Sequence, residues 1–432
     1  MHQFSRGKCP TLQPNSFCEP SHPFAIKQYV KSLKHLRKRL DGQIDPSLTQ
    51  VALVTCLLFI CLEMLQGNRA GALVHLRTGL RILCYSKSLD VKIHHQREAL
   101  TIRLPSHDSD SILCQLASCF ARLDSDSTMF GEASPTLTLS RDSYQLPSPM
   151  IVPRRFATIA EARGCLDFLA NAVFSFRGKL LHLVSTKTEN RNTSQNSDFV
   201  AQICMYHACT RTTDLEPSLN MTKELADLKS DLEGWLVAFK LLSREALYSY
   251  SLPVILLEVQ HFYIYFLIST CRDTREKFCD SFEGYFRRAV HLAGRFINNI
   301  QSTDPSSPLP SLTFTLESGI IPSLYLVALK CRTHSIRQEA IALLRKSRCQ
   351  EGMWESALIA KFVAEIARLE YDRASALAES TEYPPRVIPE AARFSDVLLV
   401  LTEAPGSARL VCARYLHEAT GYIEILDFVF QL

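Results

Sequence analysis

Fifteen cysteines are the residues best equipped for chemistry in this chain, as thiolate nucleophiles or as ligands of a soft metal. Their spacing does not gather them. No Cys-x-x-Cys pair occurs. The three tightest pairs, Cys56 and Cys61, Cys114 and Cys119, and Cys204 and Cys209, stand five apart, about one and a half helical turns, which is no metal-ligand spacing. Most sit among apolar neighbours, as in TCLLFICLEML, and read as small core hydrophobes in a reducing compartment. His94 and His95 with Glu98 place an imidazole one helical turn from a carboxylate. They lack HExxH order and a third ligand, so no metal is expected there. His75 reads as a packed or hydrogen-bonded helix residue. Glu63, closing an apolar helix, is expected to accept a buried hydrogen bond or to meet a cation such as Arg69 or Arg77. The chain has no GxGxxG, no Walker loop, no GxSxG and no paired-carboxylate motif. No catalytic, cofactor-binding or metal-binding residue is therefore assigned, and an enzyme is not expected.

The elements that carry these residues read as helices. Glycine is scarce, 15 in 432 residues, while 47% of the chain is apolar and 21% charged, an ordinary balance for a packed globular protein. The net charge of +4 is too small to declare a nucleic-acid partner. No segment has the apolar core of a signal peptide, and no uninterrupted apolar run reaches the ~18 residues of a membrane span. The reading is an intracellular protein with no membrane partner.

After a Pro-bearing tail at 1–22, Ile26, Tyr29, Val30, Leu33, Leu36 and Leu40 recur at helical spacing. Lys27, Lys31, Lys34, Arg37, Lys38 and Arg39 cover the other surface of that helix. Such a row of cations could touch phosphate in a salt-sensitive way, but beside a complete apolar stripe it reads as a solvated face. Ser47 and Gln50 have capping-box form before a helix so apolar that it should lie centrally, and Gly67-Asn68 stops it. Further helices are expected near 70–85, from Ile159, and over 221–245, 251–272, 279–300, 320–331, 335–347 and 352–371, then a tail element from Ala391. No alternation demands a sheet. Arg332 is placed to meet carbonyls of the preceding helix, Glu339 to pair with a nearby arginine, and Trp235 and Trp354 to anchor the core. The fold class is all-α, an array of antiparallel helical hairpins. Residues 23–123 form its first part, 124–158 a Pro/Ser-rich connection, 159–375 the remainder, and 376–432 an extension packed on it.

Five segments then carry a resemblance. YVKSLKHLRKRLDGQ with VALVTCLLFICLEMLQGNRAGALVHLRTGLRIL, FARLDSDSTMFG, EARGCLDFL, DLEGWLVAF and GIIPSLYLVALKCRTHSIRQEAIALLRKSRCQEGMWES follow one another between residues 25 and 375. In this order they resemble the helical region that follows the zinc cluster in fungal transcription factors of the zinc binuclear cluster family. The family pattern falls on Glu63, Gly67, Asn68, Ala72, His75, Leu76, Gly79 and Leu83. The resemblance implies one large helical regulatory domain that controls RNA polymerase II genes, of secondary metabolism or nutrient utilisation. It implies residence in the nucleus with a cytoplasmic pool. As partners it implies a second copy, another transcription factor, or the transcription machinery.

One departure limits it. The family reads DNA through six cysteines arranged as two Cys-x-x-Cys-x6-Cys halves around two zinc ions. Cys9 and Cys18 are too few and wrongly spaced. Direct sequence-specific DNA binding is therefore not expected from this chain, and zinc only if such a module lies upstream. Two other functions stand beside the first: a zinc-cluster-less protein that binds and modulates an intact factor, and a helical receptor for a small molecule, lined by aromatic residues of HFYIYFL.

Overall fold

A computed structural model of the chain describes residues 27, 31, 34, 46–86, 90–94, 99–104, 111–130, 134–141, 152–189, 219–244, 251–272, 275–302, 313–378, 384–401, 407–417 and 422–431. The fold is an all-α array of antiparallel helical hairpins, edged by three small sheets. Helices α1 (Pro46–Leu65) and α2 (Arg69–Cys84) make the first hairpin. Helix α3 (Ile112–Ser127) runs into the 3-10 turn Thr128–Phe130. Helices α4 (Ile159–Glu189), α5 (Leu219–Ser243) and α6 (Leu252–Thr270) pack against one another. A 3-10 stretch, Glu276–Phe282, leads into α7 (Glu283–Ser302), which pairs with α6. Helices α8 (Ile321–Lys330), α9 (His334–Ser347) and α10 (Ser356–Ala378) complete the array.

The local reasons are legible. Gly67 takes φ 70°, the left-handed conformation that glycine adopts without a Cβ penalty, and it ends α1. Asn68 then starts α2 by accepting from the Gly71 amide. Helix α1 begins at Pro46, two residues before Leu48, where the capping-box reading starts it. Ser47 thus falls inside the first turn, where proline's missing N–H costs nothing. All ten residues of α8 are buried, which makes α8 the central helix. Trp235 and Trp354 are fully buried anchors as expected, Trp235 donating to the Ala162 carbonyl at 2.9 Å.

Helix α1 departs from expectation. It packs on α2, yet Val51, Val54, Leu58 and Leu65 leave an apolar face exposed. Two segments, Leu48–Leu65 and Leu252–Thr270, are long and apolar enough to cross a membrane by length and composition. The second is 67% buried in the array, as core helices are.

The sheets overturn the expectation that none is demanded. Strands β1 (Asp90–His94) and β2 (Ala99–Leu104) pair antiparallel, and β3 (Leu137–Arg141) joins β2 parallel. Strands β4 (Thr313–Thr315), β5 (Cys349–Glu351) and β6 (Trp354–Glu355) form a second small sheet. The tail element from Ala391 is a 3-10 turn, Glu390–Ala392, followed by an antiparallel meander of β7 (Asp396–Leu401), β8 (Ser407–His417) and β9 (Tyr422–Gln431). The meander escapes a periodicity search because its strands lack clean alternation. DVLLVL is apolar on both faces, and Val397, Leu398 and Leu399 are all buried.

Candidate functional site

The motif residues of the first hairpin come together in one knot. The Asn68 side chain donates to Glu63 Oε2 at 2.5 Å, and His75 Nε2 stands 3.8 Å from Glu63 Oε1. Burial lowers the His75 pKa, with Glu63 opposing. A Cβ on Gly79 would fall 2.1 Å from the Phe120 ring, so glycine lets α3 approach α2. Glu63 thus meets Asn68 and His75. Arg69 donates to the Met353 carbonyl and lies over the Phe130 ring, tying this corner to the residue before β6. These are structural roles, as His75 was expected to have.

A second knot holds the start of α8. The Glu351 carboxylate accepts from the amides of Gly319, Ile320 and Ile321 at 2.8, 2.9 and 2.8 Å, capping the positive end of the helix. Burial pushes Glu351 up to about 7 against those three donors. Just before it, Glu317 bridges Arg122 and Arg163, and Arg122 also reaches Asp167 at 2.6 Å. Ser318 donates to Asp126 at 2.6 Å, and burial raises that carboxyl to about 7.

The third knot joins α8, α9 and α10 to the C-terminal segment. Arg332 reaches Glu370 at 2.8 Å and Arg337 reaches it at 2.6 Å, while the Phe394 amide donates to the same carboxylate. Burial would raise Glu370, but the two guanidinium groups outweigh it and hold it down to about 2. Arg332 also donates to the Lys330 carbonyl, meeting the helix end as expected. Arg337 pairs with Glu370, whereas Glu339, the expected acidic partner, is exposed. Lys330 binds Glu276 at 2.6 Å, and Arg393 forks onto Asp280 at 2.8 Å through both terminal nitrogens. These networks fix the helices against one another and against the C-terminal segment.

Among the described residues, one opening with the geometry of a binding site is a groove of about 370 Å³ between α5, α6 and α7. Its aromatic side comes from HFYIYFL, the segment singled out in the sequence. Phe262 and Tyr285 stack at 6.5 Å, and Tyr285 also stacks on Tyr265 at 5.8 Å. The floor is His261, held between the rings of Trp235 at 5.1 Å and Tyr265 at 5.9 Å. Burial drives His261 down to about 4, so the imidazole is neutral near pH 7. Nε2, 2.9 Å from the Leu232 carbonyl, then carries the proton and Nδ1 is left as an acceptor. Lys240, Glu258 and Arg288 supply the charge at the rim, and Arg288 is bound to Glu258 through two nitrogens at 2.9 and 3.1 Å. Gly284 completes the wall, and a Cβ there would meet nothing within 4 Å.

The other residues considered for chemistry are not gathered. Among the described residues no three His, Cys, Asp or Glu side chains come together to hold a metal, so these residues do not fit a zinc cluster. Burial pushes Cys56 up to about 11 and Cys119, Cys279 and Cys349 up to about 12, which keeps them as thiols. His95, Glu98, Cys9, Cys18, Cys204 and Cys209 lie outside the described residues, as does most of the basic segment at 23–40. Lys27, Lys31 and Lys34 are helical and exposed.

No protein-family profile matches the sequence, and no solved structure matches it. Over 82 residues, 19% of this chain, the sequence is 39% identical to the aspercryptin biosynthesis cluster-specific transcription regulator atnN of Emericella nidulans. The match spans 13% of that relative's length. Part of the chain is therefore similar to a fungal transcription regulator.

Proposed function

We propose that this chain is the helical regulatory region of a fungal transcription regulator of the zinc binuclear cluster kind, acting in the nucleus on RNA polymerase II genes. The observation that carries this reading is the 39% identity over 82 residues to a cluster-specific transcription regulator. The ordered segments that resemble the family, with Glu63, Asn68, His75 and Gly79 packed into one corner, add to it. On this reading the genes belong to secondary metabolism or nutrient use. The chain is not an enzyme, makes no base-specific DNA contact of its own, and works through a second copy, another factor or the transcription machinery. Mapping the 5′ end of the native transcript tests the zinc-cluster part. Six in-frame upstream cysteines at Cys-x-x-Cys-x6-Cys spacing are expected, and their absence would count against it. The exposed apolar face of α1 favours one second reading, a partner protein that docks on an intact factor and modulates it.

A further inference from the structure

We infer that the groove between α5, α6 and α7 binds a small organic anion with a flat aromatic body. Its volume, about 370 Å³, lies in the range of sites that enclose small molecules. The aromatic rings beneath and beside it are already in place. His261 is fixed between two stacked rings, and Tyr285 presents its own ring at the rim, 43% exposed, while stacked on Tyr265 and Phe262. A planar guest extends this column of rings at little ordering cost, because the rings are held before it arrives.

The charge at the rim selects the sign of the guest. Arg288 and Glu258 neutralise each other through their paired hydrogen bonds. Lys240 has no carboxylate partner among the described residues, so one positive charge is left over at the mouth. A carboxylate or sulfonate fits there, and a cation would face repulsion. Below, His261, tied through Nε2 to the Leu232 carbonyl, holds its ring in the lining of the groove. The bare side of Gly284 leaves the space that such a guest occupies.

This inference goes beyond the regulatory reading and stands apart from it, since binding is measured on the purified full chain without any transcription readout. The probe is 1-anilinonaphthalene-8-sulfonate, with N-phenyl-1-naphthylamine as the same ring system without the anion. Fluorescence titration of the wild-type chain is expected to give one saturable site for the sulfonate. Lys240→Glu weakens the sulfonate about tenfold and leaves the neutral analogue within about twofold. Gly284→Leu, which adds bulk at a groove-lining position where a Cβ meets nothing within 4 Å, abolishes both, with an unchanged circular dichroism spectrum. Leu58→Asp on the exposed face of α1 changes neither. Sulfonate binding that survives both groove substitutions, or that is lost on Leu58→Asp, overturns the inference.

Discussion

Arg337 and Glu370 meet at 2.6 Å with side-chain exposures of 0% and 1%, an ion pair wholly removed from water at the junction of α9, α10 and the C-terminal segment. Such a pair attracts strongly in its low-dielectric setting, yet each member was costly to bury. Removing one side leaves the other charge uncompensated. Glu370→Gln is expected to lower the unfolding free energy by roughly 3–5 kcal/mol, since it strands Arg337 and weakens the hold on Arg332 and the Phe394 amide. Urea denaturation at pH 7 measures this, and a loss below about 1 kcal/mol contradicts it.

Opposed pKa shifts shape the dependence of stability on pH. Glu370 lies at about 2 in the folded chain, so its contribution is complete above the unfolded carboxylate range and disappears as pH falls through about 2. His261 at about 4 lies below an unfolded value near 6.5, so stability is lost as pH falls from about 6.5 to about 4. Asp126 is raised to about 7, so its effect has the reverse sign: stability is lost as pH rises from about 4 through about 7.

Asp126→Asn removes only the last of these slopes. Relative to wild type, the variant is expected to gain stability steadily from pH 4.5 to pH 7, by roughly 1–3 kcal/mol in all. Urea midpoints at half-unit intervals follow the difference, and a pH-independent gap between the two proteins contradicts the assignment.

Gly79→Ala reverses the usual ranking of helix formers. In an open helix position alanine is favoured over glycine by about 1 kcal/mol. Here its Cβ would lie 2.1 Å from Phe120 Cε1, a buried ring that cannot yield freely. Overpacking of this kind costs about 1–3 kcal/mol. The melting temperature should therefore fall, whereas a rise would mean that α2 and α3 are further apart than described.

Arg393 fastens the C-terminal meander to the helices through Asp280 and the carbonyls of Ile388 and Glu276. Arg393→Ala is expected to raise amide exchange in β7, β8 and β9 ahead of that in α8 and α10, because local opening follows the loss of local ties. Equal acceleration in all of these elements would show the meander to be inseparable from the helical core.

The helices were legible because their signals are local. The break at Gly67-Asn68, and the apolar spacing of α4 and α8, sit in the residues themselves. The groove was half legible: HFYIYFL named its aromatic wall, but Lys240 and Arg288 lie on α5 and α7, and only packing brings them to it. Of the three polar knots, only the short-range members were legible, Glu63, His75 and Arg332; the long-range pairings were not. Glu351 caps a helix 30 residues upstream, and Arg122 meets Glu317 across 195 positions, pairings that no spacing rule connects. The meander failed for another reason, since buried strands without alternation resemble buried helix in a sequence.

The most direct test of the regulatory claim is to fuse this chain to a foreign DNA-binding domain and measure a reporter carrying its sites in a filamentous fungus. A reproducible change in reporter transcription, in either direction, relative to the DNA-binding domain alone is predicted, and Glu370→Gln should diminish it by unfolding the region. A reporter that stays at the level of the DNA-binding domain alone under every nutrient regime, with the fusion present in the nucleus, would contradict the account.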